Sequence, residues 1–146
     1  MKRALPLVLA LLSLPAWATA YYFAGGVYTT RYAHQTCGTG ACADYPAGAR
    51  ITGSFTTAAP LAASLPSTEI TGSVTSCSFS DGVHAYANAD ANARIVAFSI
   101  ATDASGKPSS ATIQLQLWQA PAPHNAGNAR LNLMQFASNA SAGTNA

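Results

Sequence analysis

The sequence predicts an all-β domain, an antiparallel β-sandwich or small β-barrel of about six to eight strands. Three observations carry this expectation. Apolar residues alternate with a period of two wherever a period is clear, Gly- and Pro-containing turn signals separate the alternating runs, and beyond residue 20 no long segment keeps the 3.6-residue period of a helix.

Residues 1–20 read as a leader rather than as part of the fold. Lys2 and Arg3 give a positive start, Ala4 to Leu14 form an apolar run broken only by Pro6 and Ser13, and Ala18-Thr19-Ala20 presents the small side chains that signal peptidase requires. Cleavage is expected after Ala20. The apolar run falls short of the ~20 residues that span a bilayer, and Tyr21 stands where a lipoprotein would need Cys. The product is therefore expected in the periplasm or outside the cell, as a single β-rich domain over residues 21–137 with a disordered tail over 138–146.

Loss of the leader changes the charge balance. Without Lys2 and Arg3, five bases (Arg31, Arg50, Arg94, Lys107, Arg130) face five acids (Asp44, Glu69, Asp81, Asp90, Asp103), so the net charge falls from +2 to zero. Five scattered cations build no stripe for a phosphate backbone, and nucleic acid is not an expected partner. With so few charges the surface has to be wetted by Ser, Thr, Asn and Gln.

Along the remaining chain, Tyr21 to Tyr32 is aromatic and β-branched and reads as a strand. Ile51, Gly53 and Phe55 alternate with Thr52, Ser54 and Thr56, and Val74 to Ser80 is a further strand closed by the Asp81-Gly82 turn signal. Residues 58–70, with Pro60 and Pro66, read as a loop over the sheet, because proline removes a ladder donor. Ala85 to Ala93 has alanine at every second position, but Asn88, Asp90 and Asn92 favour a loop. Val96, Phe98 and Ile100 alternate with Ala97, Ser99 and Ala101, and Ala111, Ile113, Leu115 and Leu117 alternate with Thr112, Gln114, Gln116 and Trp118; the turn Asp103 to Pro108 joins them as a hairpin. Arg130 to Phe136 is the last expected strand.

Several phrases resemble those of an uncharacterised bacterial family of exported β-domains: Ile51-Thr-Gly-Ser-Phe-Thr-Thr57 followed by Ala59-Pro-Leu-Ala-Ala-Ser-Leu-Pro66, then Ser78-Phe-Ser-Asp-Gly82, then Ala101-Thr-Asp-Ala-Ser-Gly106. Many members of that family carry a PEP-CTERM-type C-terminal sorting tail, with Pro-Glu-Pro, an apolar span and a basic end, and this sequence has none of these. The resemblance covers about residues 21 to 120 and consists of strand and turn phrases. It implies a fold and an export route, and no activity.

Chemistry-bearing residues are few. Cys37 and Cys42 enclose Gly38-Thr-Gly-Ala41, and in an oxidising compartment so close a pair is expected to be bridged, which stabilises by about 2 kcal/mol on the chain-entropy model. A zinc site would recruit Cys77 and His34, but the spacing is longer than that of common ligand pairs and no second close pair exists, so no metal is expected. Cys77 is expected to pack as a small apolar group beside Phe79. His84 follows Asp81 by three residues, yet there is no Gly-x-Ser-x-Gly elbow, no glycosidase-type carboxylate pair and no phosphate, calcium or haem motif. The chain is therefore expected to be non-catalytic and to need no cofactor.

Two binding roles follow from the remaining residues. The first is a surface or periplasmic module that takes a glycan or a protein partner through exposed aromatics, with Trp118, Tyr28 and Tyr32 as candidates. Five of the six tyrosines, Tyr21, Tyr22, Tyr28, Tyr32 and Tyr45, crowd the N-terminal region. The competing structural role has Trp118 packed under a loop and the tyrosines covering a sheet edge. The second is a closed barrel whose small interior residues leave a cavity for an apolar ligand, and a hydrolase ranks below both.

Overall fold

The computed structural model describes residues 18–30, 44–124, 130–137 and 140–145. The apolar run of the leader, Tyr32, His34, Cys37 and Cys42 lie outside the described residues, and with them the expected disulfide.

Alternation of apolar and polar residues produces strands, and the strands sort into two antiparallel sheets. β1 (Thr19–Ala24), β2 (Thr52–Thr57), β4 (Val74–Ser80) and β5 (Ala85–Ala87) form a four-stranded sheet in the order β1-β2-β4-β5. β3 (Thr68–Glu69), β6 (Ala93–Thr102), β7 (Pro108–Trp118), β8 (Arg130–Ala137) and β9 (Ala140–Asn145) form a five-stranded sheet in the order β3-β6-β7-β8-β9. The only helical element among the described residues is the 3-10 turn Thr71–Ser73 that leads into β4.

The two sheets meet face to face as a sandwich, since rings of one stack on rings of the other. Phe55 of β2 packs edge-on against Phe98 of β6 at 4.8 Å, and Phe23 of β1 against Phe136 of β8 at 5.7 Å. Ile51, Phe55, Phe79, Tyr86, Phe98, Ile100, Ile113 and Met134 have 2% exposure or less, and each such side chain withdrawn from water contributes about 1.5–3 kcal/mol. Gly53 serves this packing directly. It stands opposite Phe79 in the ladder, and a Cβ there would meet the Phe79 ring and lie 2.6 Å from the Ser78 carbonyl oxygen. Its missing side chain is the space that the Phe79 ring fills.

The expected alternation holds for β2, for β4 with buried Cys77 and Phe79, and for the β6–β7 hairpin. The hairpin turn is built on Asp103, whose Oδ1 accepts the Ser105 and Lys107 N–H groups at 2.8 and 3.0 Å, while Gly106 takes a φ of 81°.

Five segments differ from the sequence expectation. Among the described residues, the strand expected over Tyr21 to Tyr32 is confined to β1, Thr19–Ala24, and residues 25–30 form no strand. Ala85 to Ala93 is not a continuous loop: Ala85–Ala87 is a strand, because Tyr86 between the two alanines is fully buried, and only residues 88–92 turn. Asn88 ends that strand by offering its side-chain Oδ1 to the Cys77 N–H at 2.9 Å in place of a further rung. Within the 58–70 loop, Thr68–Glu69 pairs with Ser99 and Ile100 of β6. Val96 is 44% exposed, because the register shifts between Ile95 and Ala97 and turns it outward while Phe98 and Ile100 stay inside. Ala140–Asn145, expected to be disordered tail, pairs with β8 as β9 along six rungs from Ala137↔Ala140 to Asn132↔Asn145. Pairing of this kind uses backbone groups alone, so a small, polar sequence accepts it without an apolar signal.

Candidate functional site

The densest set of polar groups is gathered around Asp81, where β4 turns toward β5. The inward row of β4 runs Cys77, Phe79, Asp81, so period two carries a carboxylate into the interior, where it has no exposed surface. Every oxygen there needs a donor. Oδ1 accepts the Val83 and His84 N–H groups at 2.9 and 2.6 Å, and Oδ2 accepts the Tyr45 and Tyr86 hydroxyls, both at 2.8 Å. The Tyr28 hydroxyl donates to the Asp81 carbonyl at 2.9 Å, and its ring meets that of Tyr45 edge-on at 5.3 Å. Gly82, at a φ of 97°, lets the chain turn beneath these contacts.

These donors decide the charge state. Burial pushes the Asp81 carboxyl upward, but the His84 and Val83 N–H groups and the Tyr45 and Tyr86 hydroxyls outweigh it and hold the group below its ordinary value. Burial, with the Asp81 charge behind it, drives the Tyr86 and Tyr28 hydroxyls far above theirs, so both stay protonated as donors. His84 Nδ1 lies 3.4 Å from Oδ2, which places an Asp-His pair where the sequence allowed one. The two tyrosine hydroxyls are closer to that oxygen than the imidazole is. The carboxylate is held by the local donors Val83, His84 and Tyr86 and by one remote one, Tyr45, with Tyr28 on the Asp81 carbonyl, whereas a catalytic relay needs the carboxylate to orient the imidazole.

Of the aromatic residues singled out by sequence, Trp118 and Tyr28 have partners within the chain. Trp118, at the end of β7, is half-buried; its ring stacks on His124 at 4.5 Å with 8° between the planes, and its Nε1 donates to Gln116 Oε1 at 3.1 Å. Tyr28 is held by Asp81 and Tyr45, as described, and Tyr32 lies outside the described residues. Tyr21 stacks on Phe55 at 4.9 Å and accepts the Leu61 N–H at 2.8 Å. Tyr22 is the exception, with 81% of its surface exposed. Cys77 is a buried thiol, which burial pushes upward in pKa, and no group of three metal-ligating side chains occurs among the described residues.

Tyr22 belongs to a surface that sequence reasoning did not assemble. On the outer face of the four-stranded sheet the ladder sets Tyr22, Ser54, Ser78 and Ala87 in one row. Ala24, Thr52, Ser80 and Ala85 form the row on one side, and Ala20, Thr56 and Ser76 the row on the other. Six hydroxyl side chains thus cover the two central strands, none of the eleven residues is charged, and the single large ring stands at the edge. Rows are about 7 Å apart along the strands and columns about 4.8 Å apart across them. Thr56 shares a hydrogen bond with Thr75 and Ser80 accepts the Gly82 N–H, but each hydroxyl donates once and accepts twice, so the face keeps capacity to exchange hydrogen bonds with a flat, neutral, hydroxyl- or amide-bearing partner and offers it one ring to stack against. Period-two reading of each strand shows the individual hydroxyls, but their alignment depends on register, which connects residues 20 to 87.

The chain matches no protein-family model, no curated protein and no solved structure.

Proposed function

We propose that the chain is an exported, non-catalytic β-sandwich module of the periplasm or cell surface, and that the outer face of its four-stranded sheet binds a neutral glycan. The observation that carries this reading is the row Tyr22-Ser54-Ser78 with its flanking hydroxyls: an 81% exposed ring beside an uncharged hydroxyl surface. Sugars are recognised by that combination, since a ring stacks on the apolar side of a pyranose while short hydroxyls reach its oxygens. The leader-like sequence over residues 1–20 and the resemblance of the strand phrases to exported bacterial β-domains support export. Asp81, the most thoroughly buried acid, is committed to holding loops together, which supports a role without catalysis.

The cavity reading has less behind it. The sandwich interior is filled by Phe55, Phe79, Phe98 and Tyr86, and the recesses of about 580 Å³ along residues 57–75 and about 440 Å³ beside Tyr21 to Ala24 and Pro108 are open to the surface rather than enclosed between the sheets, whereas a barrel cavity would be enclosed.

Affinity electrophoresis through neutral and acidic polysaccharides tests the glycan reading. Retardation by a neutral polymer is expected, with a loss of roughly tenfold in affinity for Tyr22→Ala and unchanged circular dichroism. Equal retardation of the variant removes this face from consideration, and retention only on immobilised protein would identify a protein partner instead.

A further inference from the structure

We propose that the outer edge of β1 takes an extended segment of a partner protein as a fifth strand of the four-stranded sheet, with an apolar side chain of that segment seated beside Phe23. This does not rest on the glycan reading, which uses side chains on the face of the sheet; the edge offers main-chain groups.

The two sheets match strand for strand until that edge is reached. The row Tyr86, Phe79, Gly53, Phe23 crosses the four-stranded sheet, and the row Phe98, Ile113, Phe136, Ser141 crosses the five-stranded one. Phe79 meets Phe98 at 6.1 Å and Phe23 meets Phe136 at 5.7 Å, so β4 lies over β6 and β1 over β8. The position of Ser141 on β9 then has no counterpart among the described residues, and the sandwich is one strand short beside β1. The shortfall shows in burial. Phe55 and Phe79, on strands with a neighbour on each side, have 2% exposure or less, while Tyr21 and Phe23 stay half-buried.

Main-chain parity decides what the edge offers. The Gly25 N–H donates to the Ile51 carbonyl at 2.7 Å, and the β1–β2 ladder continues from that pair without a register shift, so Phe23 and Tyr21 also direct their main-chain groups to β2. Those of Tyr22 and Ala24 point the other way, where no strand lies among the described residues. β1 carries no proline, charge or bulge, the devices that keep an edge from pairing. Both residues follow Ala20, so the edge outlasts the expected cleavage.

The recesses fix the kind of segment. One of about 440 Å³ runs along Ala20 to Ala24 toward Pro108, and one of about 170 Å³ lies between Phe23, Ala111 and Phe136. An added strand sets alternate side chains over them, and apolar ones there withdraw Tyr21 and Phe23 from water. A second folded copy cannot bring its own β1 antiparallel to this edge, because its β8 would have to occupy the space of β9. In parallel pairing its apolar face would turn to the opposite side of the sheet, away from Phe23. The segment is therefore a tail or loop without a sheet of its own.

The test uses the full 146-residue chain and two short synthetic peptides of one composition, each ended by lysine for solubility. Valine alternates with threonine in the first, and the valines are grouped in the second. Amide hydrogen exchange is read by NMR. In the free chain Tyr22 and Ala24 should exchange quickly while Tyr21 and Phe23 are protected. The alternating peptide should slow exchange at Tyr22 and Ala24 by at least about tenfold, and the grouped one should leave it unchanged. Ala24→Pro, tolerated at an edge where the lost N–H points outward, should weaken the alternating peptide by at least about fivefold with unchanged circular dichroism. Protection of Tyr22 and Ala24 in the free chain means that the edge is already covered, and equal slowing by both peptides means that the recesses select nothing. Unchanged exchange up to the solubility limit, or equal binding by the folded variant, means that no strand adds there. Each of these results overturns the proposal.

Discussion

The Tyr86 hydroxyl donates to Oδ2 of Asp81 over 2.8 Å, and neither residue has exposed surface. Five residues separate them in sequence, while Tyr45 and Tyr28, which complete the arrangement, come from 36 and 53 residues away. Asp81 thus ties the β4–β5 turn to two N-terminal segments, and its loss should be felt across the molecule.

Tyr86→Phe removes one donor to a charged acceptor and should lower stability by about 2 kcal/mol. Asp81→Ala takes the shared acceptor from two hydroxyls and two N–H groups and should cost at least about 3 kcal/mol. Urea unfolding followed by circular dichroism measures both. Equal, small losses below about 0.5 kcal/mol would show that water replaces the carboxylate without difficulty.

Acid should weaken the same point. The Asp81 carboxyl is held below its ordinary value in the folded chain, so its contribution is complete above the unfolded-state value of about 3.9 and is lost as the pH falls from there through the lower folded-state value. Asp81→Asn should therefore show a flatter decline of the urea midpoint in that window than the parent. Parallel declines would place the acid sensitivity elsewhere.

Gly53→Ala should destabilise by about 1–3 kcal/mol, since the new methyl group meets the Phe79 ring and the Ser78 carbonyl. Gly72, with open space at its Cβ position, supplies the control: Gly72→Ala should stay within about 0.5 kcal/mol of the parent. Thermal unfolding of the pair decides the matter, and equal midpoints would mean that Phe79 moves aside freely.

Trp118 is the single tryptophan from Tyr21 onward, so its emission reports on one site in a chain that begins there. His124 covers one side of the ring. His124→Ala should increase iodide quenching and cost less than about 1 kcal/mol; unchanged quenching would mean that other residues cover the ring.

The strands that form the centre of each sheet were legible because their inward positions carry large apolar groups, as Phe55, Phe79, Phe98 and Ile113 do. β5 was hidden because one tyrosine between alanines gives too short a pattern, and β9 because small polar residues carry no apolar pattern at all. The bulge at Val96 was invisible for a different reason: an apolar residue keeps the alternation going on paper after the register has shifted. Asp81 was read as a turn former, which it is. The available signal was its inward parity after Cys77 and Phe79, which demands buried donors but does not say where along the chain they lie. Tyr28 and Tyr45 answer that demand through long-range packing, beyond the reach of any local pattern.

The hydroxyl rows of the four-stranded sheet have a bearing on where such a surface can work. Mobile ions weaken contacts by gathering around fixed charges, and none of the ten side chains of these rows that remain from Tyr21 onward carries one, so the amino group that cleavage would leave on Tyr21 is the charge set beside Tyr22. Attachment through this face would therefore respond only weakly to salinity.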